Sequence, residues 1–280
     1  MNPIRHLLPT AIAGFLLIQG VSSLSAQTLL LDFGPTAVTG GDRLVSPGHA
    51  VNAVPSSALS WNQITADSSG LVSSTGASTG VSVNIGQESS AGSGTINFNF
   101  EATGSTGGAG AATGALYAGT KVARDALFSG TAGSALGVRI DGLSAGDYTL
   151  YFTARNTATT LTTNRAERLY LNVGDSASTF AFGGLTSDNY RDVANTNTLS
   201  NAGGVFELGV SYNSISFTLL ADQSVFIATD GIQIDEARGF LNSVEIVAAI
   251  PEPSTYALLL GGLCVVACVV RKSSLRIKRR

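Results

Sequence analysis

Val138-Arg-Ile140-Asp-Gly-Leu143-Ser-Ala-Gly146-Asp147-Tyr148-Thr-Leu150-Tyr-Phe152 decides the fold class. Apolar and polar residues alternate on both sides of a glycine-containing break. Successive side chains of a strand point to opposite faces, so each flank reads as a half-buried strand. Leu143-Ser-Ala-Gly146-Asp147 supplies a glycine where positive φ is needed. The spacing predicts a hairpin joining strands at 138–140 and 148–154.

The same alternation recurs outward from this stretch. It marks Val81-Ser-Val83-Asn-Ile85, Ile96-Asn-Phe98-Asn-Phe100, Leu169-Tyr-Leu171-Asn-Val173 and Ile215-Ser-Phe217-Thr-Leu219. Val225 to Ile227, Ile232-Gln-Ile234 and Val244-Glu-Ile246 complete the series, with Asp230-Gly231 as a second turn signal. Gly104 to Gly114 reads as a surface loop, and Tyr117 to Ser129 as a short helix. Charged residues make up 12% of the chain, about half the usual share, and the 33 glycines among 280 residues disfavour long helices. No fixed-period repeat is present, which argues against a propeller or solenoid. The expectation is an all-β protein, an antiparallel β-sandwich or jelly roll over residues 27–248, with a closed barrel as the alternative.

Charge excludes one class of partner. The net charge is −3, yet seven of the sixteen Lys and Arg lie outside residues 27–250, leaving nine basic against eighteen acidic residues there. A body near −9 without a basic stripe does not neutralise phosphates, so no nucleic acid is expected. Both cysteines, Cys264 and Cys268, lie in the C-terminal apolar stretch. The body therefore has neither a disulfide framework nor a thiol nucleophile.

The search for chemistry is brief. His49 is the one histidine of the body and reads as a solvated loop residue. Gly174-Asp175-Ser176 has the form of an esterase nucleophile block, but no histidine follows it, and it reads as a turn. Asp32-Phe33-Gly34 lacks the other kinase elements and reads as the start of the first strand. Asp235-Glu236, with Asp230 and Glu245, is the densest acidic group. It reads as solvated turn acids or a structural Ca²⁺ site, with two-carboxylate hydrolysis as the alternative. Trp61, beside Asn62 and Gln63, and Tyr190, between Asn189 and Arg191, are the aromatic candidates for glycan contact. Core packing is the competing role for Trp61. No catalytic residue and no other cofactor is expected.

The two ends carry targeting signals. Residues 1–26 have Arg5, an apolar run from Leu7 to Ile18 and small residues to Ala26, which together read as a secretory signal for the Sec translocon. Residues 249–280 contain Pro251-Glu252-Pro253-Ser254, an apolar stretch over 254–270, and a basic tail at 271–280. That tail holds Arg271, Lys272, Arg276, Lys278, Arg279 and Arg280. Seventeen residues span roughly 26 Å as a helix at about 1.5 Å per residue, the lower limit for crossing a bilayer. The basic tail favours the cytoplasmic side, and each proline keeps the residue before it extended.

In this order the tail resembles the PEP-CTERM sorting signal. The resemblance implies an exosortase that recognises the tripeptide and an inner-membrane-anchored precursor. It implies a final location in the envelope or outside a Gram-negative cell, in association with exopolysaccharide. The two cysteines depart from the usual Ala/Leu-rich helix. The body loosely resembles galactose-binding-like, carbohydrate-binding β-sandwich modules through Leu29-Leu-Leu-Asp32-Phe33-Gly34, Gly142-Leu-Ser-Ala-Gly146-Asp-Tyr148-Thr-Leu150 and a closing strand near Val247. Together these features imply an exported, non-enzymatic structural or glycan-binding protein. The alternative is an exported polysaccharide-active hydrolase or lyase with an acidic site.

Overall fold

The computed structural model describes residues 27–55, 57, 60–100, 103–106, 116, 119–156, 166–194, 205–232, 238–249 and 262. The strands run in chain order as β1 (Leu29–Phe33), β2 (Asn62–Ile64), β3 (Ser82–Glu88), β4 (Thr95–Asn97), β5 (Thr103–Thr106), β6 (Ala126–Ser129), β7 (Leu136–Asp141) and β8 (Gly146–Thr153). They continue as β9 (Glu167–Asp175), β10 (Thr179–Ala181), β11 (Tyr190–Val193), β12 (Asn213–Leu219), β13 (Gln223–Gly231), β14 (Phe240–Leu241) and β15 (Ser243–Ala248). A 3-10 turn (Gly40–Leu44) and the short helix α1 (Pro47–Ala50) precede β2.

Two main sheets result. One has the order β12-β8-β15-β1-β2 and the other β10-β4-β3-β7-β13-β9-β11. Pairing is antiparallel except between β1 and β2. Alternation puts Leu29, Leu31, Phe33, Leu150, Phe152, Val244 and Ile246 of the first sheet into the core. They meet Val83, Ile85, Val138, Ile140, Leu169, Leu171, Val225 and Ile227 of the second. Burying one such side chain contributes about 1.5–3 kcal/mol, so this two-sided layer holds the sandwich together. A small third sheet, β14-β6-β5, carries the stacked Phe128–Phe240 pair with ring centroids 5.0 Å apart.

The seven-stranded sheet curls over itself. Gly86 and Gly137 are cross-strand partners on its outer face. A Cβ on Gly137 would lie 2.2 Å from Ile96 Cγ2, and one on Gly86 would lie 2.9 Å from the Phe98 ring. The missing side chains let β4 and β10 fold back onto β13. Ile96, Phe98, Phe180 and Phe182 there pack with Phe226 and Ala228 in a second apolar cluster.

The outer face of the five-stranded sheet is covered by loops instead. Val38, Val122, Ala123, Phe206 and Tyr212 form a third cluster there, against which Val45, Trp61 and Tyr151 pack. A polar layer lies buried beneath this cover. It includes Asp32, Ser243, Glu245 and Thr153, with the Thr153 and Ser243 hydroxyls 2.7 Å apart.

Several local expectations need correction. The segments 138–140 and 148–154 form no hairpin, because β7 belongs to the seven-stranded sheet and β8 to the five-stranded one. Gly142, at φ +84°, turns the chain from one layer to the other, and a Cβ there would lie 2.4 Å from the Gly80 carbonyl oxygen. Alternation marks a strand but does not name its partner. Among the described residues of the helix expected over 117–129, no helix forms. Residues 119–125 form turns and 126–129 form β6. Val122 and Ala123 bury in the loop cluster and Leu127 in the sandwich core, so no single helix face serves them.

The expected loop at 104–114 begins as strand β5. Asp230-Gly231 is no turn: it continues β13, opposite Arg168 and Glu167. The separate strand at 232–234 is not formed at Ile232, which follows β13 and donates its N–H to the Ala166 carbonyl, while 233 and 234 lie outside the described residues. The signal segment 1–26 lies outside them too, as does the expected span 254–270 apart from Gly262. Among the described residues no helix is long and apolar enough to cross a membrane.

Candidate functional site

The outer face of the seven-stranded sheet carries a ladder of aromatic rings. Residues that pair in register and share a parity project together. Tyr190 of β11 pairs with Tyr170 of β9, and Asp192 with Arg168, so all four project outward. The Tyr170 and Tyr190 ring centroids are 5.5 Å apart in an edge-on arrangement. Tyr170 continues to Phe182 at 5.0 Å, Phe182 to Phe180 at 6.3 Å, and Phe180 to Phe226 at 5.6 Å. The phenylalanines are buried, whereas Tyr170 and Tyr190 are half-buried.

Arg168 organises the open end of this ladder. Its Nε and Nη2 donate to the two carboxylate oxygens of Asp192 at 2.6 and 2.8 Å. Its guanidinium carbon lies 3.8 Å from the Tyr190 ring centroid. The Asp192 hydrogen bonds hold the Arg168 pKa above its ordinary value, so the cation persists at every accessible pH. The planar fork matches the carboxylate, and the cation lies on the ring face where the aromatic quadrupole is negative.

Beside this pair, Asp230 faces Arg168 across the sheet. Its carboxyl is pushed up to about 6 by burial and by the Glu88 charge, against the lowering effect of Arg168. Glu88 accepts from the Gly94 N–H, the Ala135 N–H and the Ser93 hydroxyl at 2.6, 2.9 and 3.2 Å. Gly94 and Ser93 tie it to the turn before β4, and Ala135 ties it to the start of β7. The surface thus combines two half-buried tyrosines, a guanidinium committed to Asp192 and the Tyr190 ring face, and a half-exposed carboxylate able to accept hydrogen bonds.

The other residues singled out from the sequence lie elsewhere. Trp61 is partly buried between two apolar clusters on the far sheet, and its Nε1–H donates to the Arg43 carbonyl at 3.1 Å. That bond ties the ring to the 3-10 turn itself. The fold therefore does not bring Trp61 and Tyr190 together. Asp230 belongs to β13 and Glu245 to β15, in different sheets, while Asp235 and Glu236 lie outside the described residues.

His49 is not a solvated loop residue. It is half-buried in α1, with Nδ1 2.6 Å from the Ser46 hydroxyl, and burial lowers its pKa. Gly174 and Asp175 end β9 rather than form a turn, and the Ser176 hydroxyl donates to Asp141 Oδ1 at 3.3 Å. Sequence pattern does not single out Tyr170, Arg168 and Asp192, because what brings them together is cross-strand register. The only local signal was the alternation around Leu169 and Leu171.

No protein-family model matches the chain, and no curated protein matches it. Solved structures similar to it include TmCBM61 in complex with beta-1,4-galactotriose, at 9% identity over 60% of this chain and 88% of that one, with a TM-score of 0.29. A family 35 carbohydrate binding module from Clostridium thermocellum is 16% identical over 60% of this chain and 92% of its own, at a TM-score of 0.27. CBM35 from Cellvibrio japonicus Abf62 is 19% identical over 48% and 78%, at 0.25. At these scores the likenesses assign neither a fold nor a ligand to this chain.

Proposed function

We propose that this chain is an exported, non-enzymatic surface protein whose β-sandwich binds glycan. In this reading residues 1–26 direct secretion through the Sec translocon. Pro251, Glu252, Pro253 and Ser254 are presented to an exosortase by the apolar stretch 254–270 and its basic stop. The body then remains in the envelope or extracellular matrix of a Gram-negative cell, in contact with exopolysaccharide. The observation that supports binding is the half-buried Tyr170–Tyr190 pair beside the Arg168–Asp192 fork on an outer sheet face. The support for sorting is the order of tripeptide, apolar stretch and basic tail.

Two measurements test the proposal. Intact mass of the protein recovered from cells should show loss of residues 1–26 and processing near Pro251. A species retaining residues 254–280 overturns processing by removal of the tail. A glycan array including neutral and acidic bacterial polysaccharides should show binding without turnover, weakened by Tyr190→Ala. Release of shortened glycan from the array overturns the non-enzymatic reading and favours a hydrolase or lyase.

A further inference from the structure

Each main sheet ends in two edge strands, and one of these four differs from the rest. β2 and β10 are three-residue strands, and β11 has four residues that include Arg191 and Asp192. β12 runs for seven residues, Asn213-Ser-Ile-Ser-Phe-Thr-Leu219, with no charge and no proline. Short length, charges and prolines keep sheet edges from pairing with other chains. β12 has none of these protections.

Register fixes which backbone groups of β12 face outward. The Ala249 N–H donates to the Asp147 carbonyl, so Asp147, Thr149 and Tyr151 of β8 turn their backbone groups toward β15. Alternation then turns Tyr148, Leu150 and Phe152 toward β12, where they pair with Phe217, Ile215 and Asn213. Ser214, Ser216 and Thr218 therefore point N–H and C=O away from the sheet. Side chains cap the donors at both ends of this row. Asn213 Oδ1 accepts the Ser214 N–H at 2.8 Å, and Gln223 Oε1 accepts the Leu220 N–H at 3.0 Å. Among the described residues, the N–H groups of Ser216 and Thr218 have no acceptor and their carbonyls have no donor.

These free groups are symmetric about Phe217. A second β12 laid antiparallel, with Phe217 opposite Phe217, sets Ser216 opposite Thr218 on both sides of the axis. Each such pair exchanges two N–H···O=C bonds, so every free N–H meets a facing carbonyl. We propose that β12 pairs edge to edge with a second copy of this chain, joining the two five-stranded sheets into one across a twofold axis at Phe217.

Exposed apolar surface and charge fit the same partner. Val205, Leu208 and Leu220 are 66%, 60% and 63% exposed. They are the only large apolar side chains more than half exposed among the described residues, and all three flank β12 in the chain. Antiparallel crossing brings the 205–208 end of one copy to the Leu220 end of the other. Phe217 is partly buried, stacked on Tyr148 with ring centroids 5.4 Å apart, and meets its twin on the axis. The body holds nine basic against eighteen acidic residues, so an uncharged strand is where two copies approach with least repulsion. The contact is isologous, each copy offering the same strand. One strand pair buries less than the roughly 1,200–2,000 Å² of a stable interface, so the dimer is reversible and concentration-dependent.

The test is sedimentation velocity of the full-length chain, in mild detergent that disperses the apolar 254–270 stretch. The sedimentation coefficient should rise with protein concentration toward that of a dimer. Ser216→Pro removes an outward N–H without breaking a bond inside the sheet, a change that edge strands tolerate. It should weaken dimerisation by at least about tenfold and leave the unfolding midpoint of the monomer nearly unchanged. If Ser216→Pro does not fold, Ser216→Lys combined with Thr218→Lys gives the same reading, because it sets like charges opposite each other in both pairs. A wild-type chain that stays monomeric up to about 1 mM overturns the proposal. So does self-association that survives both variants, which would place it at the tail or on another face. Neither result bears on glycan binding, which is read at Tyr190 on the other sheet.

Discussion

Ser46 and Glu245 are 199 residues apart in sequence, yet the Ser46 hydroxyl donates to Glu245 Oε2 at 3.0 Å in a buried setting. The contact anchors α1 to β15, and Gly48 completes it by donating its N–H to Oε1. Removing the acceptor leaves two buried donors unpaired. Glu245→Ala is expected to cost about 2–4 kcal/mol. Chemical denaturation at pH 5 measures it.

The same residue makes stability depend on pH. Burial pushes the Glu245 carboxyl from 4.5 up to about 7, against the lowering effect of Gly48 and Ser46. Asp125 and Asp230 are pushed from 3.8 up to about 6. A raised folded-state value means the folded chain binds the proton more tightly. The stabilisation is therefore complete below about pH 4 and is lost as pH rises through 6 to 7. The unfolding midpoint should fall between pH 4.5 and 8. Glu245→Gln should remove the part of the fall nearest pH 7, an effect of at most about 3 kcal/mol.

Gly137 tests the curl of the seven-stranded sheet. A Cβ at this position would overlap Ile96 Cγ2, so Gly137→Val forces β4 off the sheet. Overpacking of this kind costs about 1–3 kcal/mol. Gly137→Val with Ile96→Ala should recover part of the loss, as a double-mutant cycle in denaturant will show.

Tyr190→Ala should weaken glycan binding by at least about tenfold, equivalent to about 1.4 kcal/mol. The unfolding midpoint should change little, because Tyr190 is half-buried at a sheet edge. Asp192→Asn should shift binding as well, through the Arg168 fork rather than the ring. Calorimetric titration with the best array ligand separates these effects from stability.

Trp61→Phe keeps most of the ring area but loses the bond to the Arg43 carbonyl. It should cost about 0.5–1.5 kcal/mol and leave glycan affinity unchanged. An affinity loss with the fold intact would make Trp61 a ligand contact.

Sequence by itself determined the class of this fold. Alternation at Val83, Ile85, Val138, Ile140, Leu150, Phe152, Leu169 and Leu171 marks strands with one apolar face, and all of these residues enter the sandwich core. A period of two is a local property, because adjacent side chains must point oppositely wherever the strand lies. Tertiary structure decided the rest. Local pattern does not say that β7 and β8 part company at Gly142, because strand pairing depends on residues far away in the chain. Nor does it show that Tyr170 meets Tyr190, or that Ser46 meets Glu245. Each of those meetings is a matter of register and packing between distant segments. Burial, which turns a routine glutamate into a charge requiring a partner, exists only once the chain has closed over it.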